Sequence, residues 1–361
     1  MMTTMPKNKL LSTVLKVSLL SALIGTGGYG VCFAAQNDVN NAQQSTPSGS
    51  SDEQQLLNAE KERDAFYKTN SSSKGYYQEN CPKQLPFWQK MAQENHAIAQ
   101  VLLGDCYSFG IGIKQDDKEA VVLFRKAAEQ NNVRALFLLG FFYENGEGVE
   151  KDYQQALAWY QKAAEKGDTA SQNHIGMMYE KGEGVEKNDK EAVVWYRKAA
   201  EQGDDYAQRN LGTMYESGKG VEKNDKEAVA WYRKAAEQGF ANAQNNLGLM
   251  YENGKGVEKN DKEAVAWYRK AAEKGNEWGQ YYLGVMYRSG VGVSRDDKEA
   301  AVWYRKAAEQ GNSFGQLNLG YLYEKGEGIE KDHQQALTWF RKAAEQNNEY
   351  ARYVLKALGE K

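Results

Sequence analysis

The chain is poor in the residues that most often carry chemistry. Its 361 residues include three cysteines, three histidines and four prolines. His96, His174 and His333 stand in unrelated places, and neither a Cys-x-x-Cys nor a His-x-x-x-His spacing occurs. That excludes the usual metal signatures. No serine or cysteine lies in a nucleophile motif. No pair of carboxylates stands out as an acid/base couple of the kind hydrolysis requires. Glu201, Glu237, Glu273 and Glu309 recur at a fixed interval and read as a solvated face. The expectation is a protein with no catalytic residue, no metal and no cofactor, hence not an enzyme. Charge of one sign is missing too. The formal net charge is −3 with no block of like charge, so no basic stripe is available to neutralise the phosphates of a nucleic acid.

Long apolar runs are also absent. The one at the front, Val17–Ile24, is far shorter than the roughly 20 residues that span a bilayer. It follows Lys7, Lys9 and Lys16 and precedes a Gly-rich stretch that ends in Cys32-Phe33-Ala34-Ala35. Lysines, a short apolar core and a small-residue end, in that order, predict a secretory signal peptide over 1–35, cleaved after Ala34 or Ala35. Val31 before Cys32 argues against a lipid-modified cysteine. The mature protein is therefore expected to be exported, periplasmic or secreted, with no stable membrane span. Residues 36–80 read as a flexible linker rich in Gln, Asn, Ser and Thr. Within it, Leu56, Ala59, Arg63, Phe66 and Tyr67 predict an amphipathic helix over 52–69, with Asp52 as its N-cap.

What the sequence has in abundance is repetition. The pair Leu/Ile-Gly falls at Gly104, Gly140, Gly176, Gly212, Gly248, Gly284 and Gly320, each step 36 residues. A tyrosine follows three positions later every time, and pairs such as Trp195-Tyr196 and Trp267-Tyr268 mark the second half of the unit. A fixed period of this length is the mark of a solenoid. Each unit reads as two helices. Helix A runs through Ala243, Leu247, Met250 and Tyr251 at helical spacing and closes at Gly254-Lys-Gly256. Helix B opens at Asp261 as N-cap, runs through Ala264, Trp267, Tyr268, Ala271 and Ala272, and stops at Gly275. Neither helix can bury its apolar face alone, so stacking makes the core. Residues 87–100 align with a helix B ahead of the first full unit, and residues 350–356 with an eighth helix A. The 81–361 region is thus an N-terminal half-unit, seven repeats and a C-terminal capping helix. The GxG loops, such as Gly182-Glu-Gly184, lie between two helices and lack the third glycine of a dinucleotide fingerprint.

These residues resemble the Sel1-like repeat, a relative of the tetratricopeptide repeat. The resemblance implies an all-α fold, a right-handed superhelical solenoid of antiparallel helix pairs with helix A lining the concave side. It also implies adaptor work in the assembly of protein complexes. A cysteine-rich bacterial branch of the family is linked to β-lactam binding or hydrolysis, but its members carry a cysteine pair in each repeat and this chain does not.

The positions that fail to repeat point to the binding surface. With the Leu-Gly glycine numbered zero, positions −6, −3 and +1 of helix A share one face. They carry Phe137 and Phe141 in one unit, then Asn173, Arg209 and Asn245, then Trp278, Tyr281, Phe314 and Tyr321. Position −2 adds Asn210, Asn246 and Tyr282. Drift at wet positions would favour small polar residues and does not produce such a set of rings. The pattern predicts a polar track that ends in an aromatic anchor. On this reading, truncating Trp278 or Tyr281 weakens partner binding with little change in stability, while truncating Trp195 destabilises the stack. Two function classes stay open: a scaffold for a peptide or protein partner, and a binder of cell-wall glycan or another small ligand. Finally, Cys81 aligns with the start of helix B, and Cys106 lies near the end of the next helix A. The two are near enough for a disulfide in an oxidising compartment. A free, buried Cys106 is the other reading, because Met178, Met214 and Met250 fill the same column.

Overall fold

The computed structural model describes residues 51–70 and 74–360. The predicted signal peptide with its cleavage site at Ala34 and Ala35, and residues 36–50 of the linker, lie outside the described residues. The rest is seventeen helices and no strand among the described residues. It divides into two compact units, one ending at Lys223 and one beginning at Asn224.

The first unit opens with α1 (Ser51–Asn70) and α2 (Lys74–Gln93). Pairs of A and B helices, each 13 residues long, follow: α3 (Ala97–Phe109) and α4 (Asp117–Glu129), α5 (Val133–Asn145) and α6 (Tyr153–Glu165), α7 (Thr169–Lys181) and α8 (Asp189–Glu201). Helix α9 (Asp205–Ser217) is the last of this unit. The second unit holds α10 (Asp225–Glu237), α11 (Ala241–Asn253), α12 (Asp261–Glu273), α13 (Glu277–Ser289), α14 (Asp297–Glu309), α15 (Ser313–Lys325), α16 (His333–Glu345) and α17 (Glu349–Leu358).

Local chemistry accounts for these boundaries. In α12 the N-cap is Asn260, one residue before the expected Asp261. Its backbone is extended, and its Oδ1 accepts from the backbone N–H of Lys262 and Glu263 at 3.1 Å. A cap must stand outside the helix to reach back to the orphan donors. Asp261 is instead the first helical residue, where a negative charge suits the positive end of the helix dipole. Behind α12, Gly275 takes a φ of 84°, the left-handed turn that ends a helix cheaply only at glycine or asparagine. Asn131 and Asn347 fill that role in other repeats. The Leu-Gly glycine has a different purpose. A Cβ on Gly284 would lie 2.7 Å from Cδ1 of Tyr304, so its absence lets the ring of the paired helix B rest on the backbone of helix A.

A buried glutamine ladder ties B helices to the A helices that follow them. Nε2 of Gln172, Gln208, Gln280 and Gln316 donates to the carbonyls of Ala164, Ala200, Ala272 and Ala308. Three of these glutamines accept in turn from Gln202, Gln310 and Gln346, at 2.7–2.8 Å. Where Lys274 replaces the donor glutamine, Oε1 of Gln244 has no partner among the described residues.

The N-terminal end departs from the pattern. Helix α2 begins at Lys74 and not near Cys81, and it runs through Pro82 and Pro86. Burial of Tyr76 and Tyr77 in the adjoining core extends it past the point where the repeat alone would start it. A disulfide joins Cys81 of α2 to Cys106 of α3. Helix α1 packs on α2 and α3, with Leu56 and Arg63 buried on its inner face. Arg63 pairs with Asp64 at 2.7 Å and Glu60 at 3.6 Å. Nearby, Arg134 pairs with Asp105 at 3.4 Å, and the Tyr77 hydroxyl donates to the same carboxylate.

Candidate functional site

The variable face of the A helices, here called the A-face, has a different make-up in each unit. In the first, polar side chains bond to one another. Asn210 donates to Oδ1 of Asn173 at 3.0 Å, and Arg209 donates to Oδ1 of Asn210 at 3.1 Å. His174 Nδ1 lies 3.0 Å from Oε2 of Glu144, which also accepts from the Tyr160 hydroxyl at 2.6 Å. Burial alone would raise the Glu144 carboxyl. The hydrogen bond and charge of His174, with the Tyr160 hydroxyl, hold it below the usual range instead. Phe137 packs edge-on against His174 at 5.5 Å.

In the second unit rings take over. Trp278, Tyr281 and Phe314 form a triangle with centroids 5.8–6.1 Å apart. Tyr282 stacks on Tyr268 at 5.1 Å, and Tyr321 meets Phe340 edge-on at 5.3 Å. Offset and edge-to-face geometries of this kind add to the gain from burial.

The structure sorts the predicted residues into a floor and a surface, and this corrects the expectation that all of them are accessible. Phe137, Asn173, Asn245, Tyr281, Tyr282 and Tyr321 are buried; Tyr281 is 1% and Tyr282 3% exposed. Phe141, Arg209, Asn210, Asn246, Trp278 and Phe314 are half-buried and reach the surface. In α13 position −3 lies between neighbouring A helices, so Tyr281 touches Phe314 of the next repeat and Tyr304 of its own. Its variability reflects a fit to a variable neighbour.

Position +4 continues the same stripe one turn further and escaped the sequence reading, which stopped at +1. Glu144, Glu180 and Glu252 there accept from the B-helix tyrosines Tyr160, Tyr196 and Tyr268 at 2.5–2.8 Å. In α13 the position is Arg288, whose Nη2 donates to Oε2 of Glu327 at 2.9 Å. One more step of the helical spacing would have found it.

Among the described residues no helix is long and apolar enough to cross a membrane, and no group of three or more His, Cys, Asp or Glu could hold a metal ion. Paired helices in register, with a conserved core and a variable face, define an all-α repeat scaffold. The Sel1 repeat family model matches residues 97–132, 133–168, 169–204, 205–240, 241–276, 279–312 and 313–348, and the chain belongs to that family. Proteins of the family are generally non-catalytic interaction scaffolds. Among solved structures, the chain is similar to a protective antigen present in uropathogenic Escherichia coli strains and described as displaying an SLR fold. The two are 44% identical with a TM-score of 0.66 over 76% of this chain, and the match spans 59% of the length of that protein. It is also similar to a Sel1 repeat protein from Oxalobacter formigenes, 34% identical with a TM-score of 0.63, over 86% of this chain and 91% of the other. A comparison with curated protein sequences found no match.

Proposed function

We infer that the protein is an exported scaffold that holds a peptide segment or partner protein against its A-face. The observation that carries this reading is the half-buried pair Trp278 and Phe314, packed 5.9 Å apart at positions the repeat core does not require. Aromatic anchors of this kind concentrate interface energy, at about 2 kcal/mol or more for each true hot spot. Export is supported by the lysine, apolar and alanine order of residues 1–35 and by the Cys81–Cys106 disulfide, which persists in oxidising compartments. The protective-antigen description of the similar Escherichia coli protein fits a protein reachable from outside the cell.

The test compares immobilised wild-type protein with a Trp278→Ala/Phe314→Ala double variant, each exposed to envelope and secreted fractions of the native host. A protein retained by wild type and lost by a variant that is still folded supports the scaffold. Equal retention by both removes the A-face from the function. Peptidoglycan held in place of a protein, and released by the double variant, would assign the face to glycan.

A further inference from the structure

One position on the A-face reverses its charge, and the reversal takes away the acceptor of a buried tyrosine. Glu144, Glu180 and Glu252 each serve as acceptor for a buried tyrosine. Arg288 holds that position in α13, and a guanidinium can only donate. The Tyr304 hydroxyl holds the equivalent B-helix position; it is buried, finds no acceptor for its proton among the described residues, and turns its oxygen toward the Arg288 guanidinium.

Pairing between repeats does not account for the exchange. The ordinary polarity already supplies such a pair, since Lys219 Nζ stands 3.9 Å from Glu180. Arg288 and Glu327, 39 residues apart like Glu180 and Lys219, make the same pair with the signs swapped. Thus the swap gains no ion pair that the ordinary polarity could not supply, and it leaves a buried hydroxyl without an acceptor. A local rule broken without local compensation is the usual mark of a functional position.

The surroundings indicate what that function is. Arg288 is 11% exposed and Glu327 37%. Glu327 rides on the loop between Gly326 and Gly328. The guanidinium stands beside Tyr304 and Tyr321, and its Nη1 is 3.5 Å from Oδ1 of Asn318. Trp278 and Phe314 flank the same stripe. A cation therefore sits at the edge of an aromatic surface, closed by a carboxylate from an exposed loop.

We propose that Arg288 receives a carboxylate of the bound segment and that Glu327 holds its place when the face is empty. This rests on the reading of the A-face as a peptide-binding surface. Trp278 and Arg288 are ten residues apart on one helix, or about 15 Å at the usual rise. An extended chain covers that distance in about four or five residues. The partner thus presents an aromatic or aliphatic side chain to Trp278 and Phe314 and, about four or five residues away, an acidic side chain or its own C-terminal carboxylate.

The probe is an array of immobilised decapeptides with one fixed tryptophan and Glu, Gln or Lys at each later position, their C-termini amidated. A parallel set carries Gln and a free C-terminus. Binding of the full chain is expected to be about ten-fold tighter for Glu at the fourth or fifth position, or for the terminal carboxylate there, than for the Gln amide. Whichever set wins identifies the source of the carboxylate. Arg288→Gln should erase the preference while leaving the Gln peptide unchanged, and Glu327→Gln should strengthen the carboxylate peptide several-fold. The double variant Arg288→Glu/Glu327→Lys copies the Glu180–Lys219 arrangement and restores an acceptor to Tyr304. It should therefore fold and favour Lys peptides. Equal binding of Glu and Gln peptides, still lost with Trp278→Ala, would overturn the carboxylate assignment and leave the binding face standing. If Trp278→Ala weakens no peptide in the array, the face itself fails and the proposal falls with it.

Discussion

The two units use one 36-residue frame to present two different surfaces. In the first, Asn173, Asn210, Arg209, His174 and Glu144 bond to one another across α5, α7 and α9. In the second, Trp278, Tyr281, Tyr282 and Phe314 pack ring on ring across α13 and α15. The columns beneath scarcely change: Ala192, Tyr196 and Ala199 in one unit match Ala264, Tyr268 and Ala271 in the other, all buried. In a repeat protein each unit is stabilised by its neighbours, so variation is tolerated only where it is matched next door. The comparison therefore predicts where stability and where recognition reside.

The largest expected effect breaks the aromatic side of that comparison. Tyr281→Ala removes a buried ring that touches Trp278, Tyr282, Tyr304 and Phe314. It should cost about 3–5 kcal/mol, as large-to-small changes of buried aromatics do. Asn173→Ala in the first unit loses side-chain hydrogen bonds and should cost about 1 kcal/mol. Urea unfolding of the two variants measures the difference. Equal losses would mean that the ring cluster is not part of the core.

That prediction departs from the sequence reading, and the reason is physical. The period, the glycines that close the helices and the alanine and tyrosine columns are local rules, and they were legible because seven copies agree. Whether a variable position faces solvent or the next repeat is not a local property. Trp278 and Tyr281 vary equally along the sequence, yet one reaches the surface and the other lies between two A helices. Arg288 was legible in principle, being the single basic residue in a column otherwise acidic from Glu144 to Glu324, but only its contacts give the column a meaning. The early start of α2 depends on burial of Tyr76 and Tyr77, which no helix signal in the sequence records.

A second prediction sharpens the comparison at the helix caps. The A helices of the first unit include two capped by aspartate, Asp168 and Asp204, while α13 and α15 are capped by Asn276 and Asn312. Burial pushes the Asp204 carboxyl up to about 7. The Ala207 N–H works against that shift, Asp205 and Asp168 add to it, and the Thr169 hydroxyl opposes it. A carboxyl raised in the folded state binds its proton more tightly there than in the unfolded chain. The folded state is therefore penalised in full above about pH 7, and the penalty fades as the pH falls toward the ordinary carboxylate range. Asp204→Asn, which keeps a cap without the charge, should stabilise the protein by on the order of 2 kcal/mol at pH 8. The gain should approach zero near pH 4. A gain that is the same at both values would show that Asp204 is not ionising against its burial.

The smallest expected effect tests the charge reversal through stability alone. The helix B tyrosines that rest on the Leu-Gly glycines share one environment and differ in their acceptor. Tyr160 and Tyr268 donate to Glu144 and Glu252 at 2.6 and 2.5 Å, whereas the Tyr304 hydroxyl has no acceptor among the described residues. Removing a hydroxyl that is bonded to a carboxylate costs about 1–2 kcal/mol, while removing a buried hydroxyl with no acceptor recovers part of the cost of having desolvated it. Tyr160→Phe and Tyr268→Phe should therefore destabilise, and Tyr304→Phe should be neutral or stabilising by up to about 1 kcal/mol. Tyr268 belongs to the same unit as Tyr304, so it separates the two possible causes. If the sign of the effect follows the residue at +4, Tyr268→Phe behaves like Tyr160→Phe. If it follows the unit, it behaves like Tyr304→Phe. Thermal unfolding of the three variants side by side reads the answer. A loss for Tyr304→Phe as large as that for Tyr268→Phe would mean that its hydroxyl does find an acceptor, and the case for Arg288 as a position given over to a ligand would lose its footing.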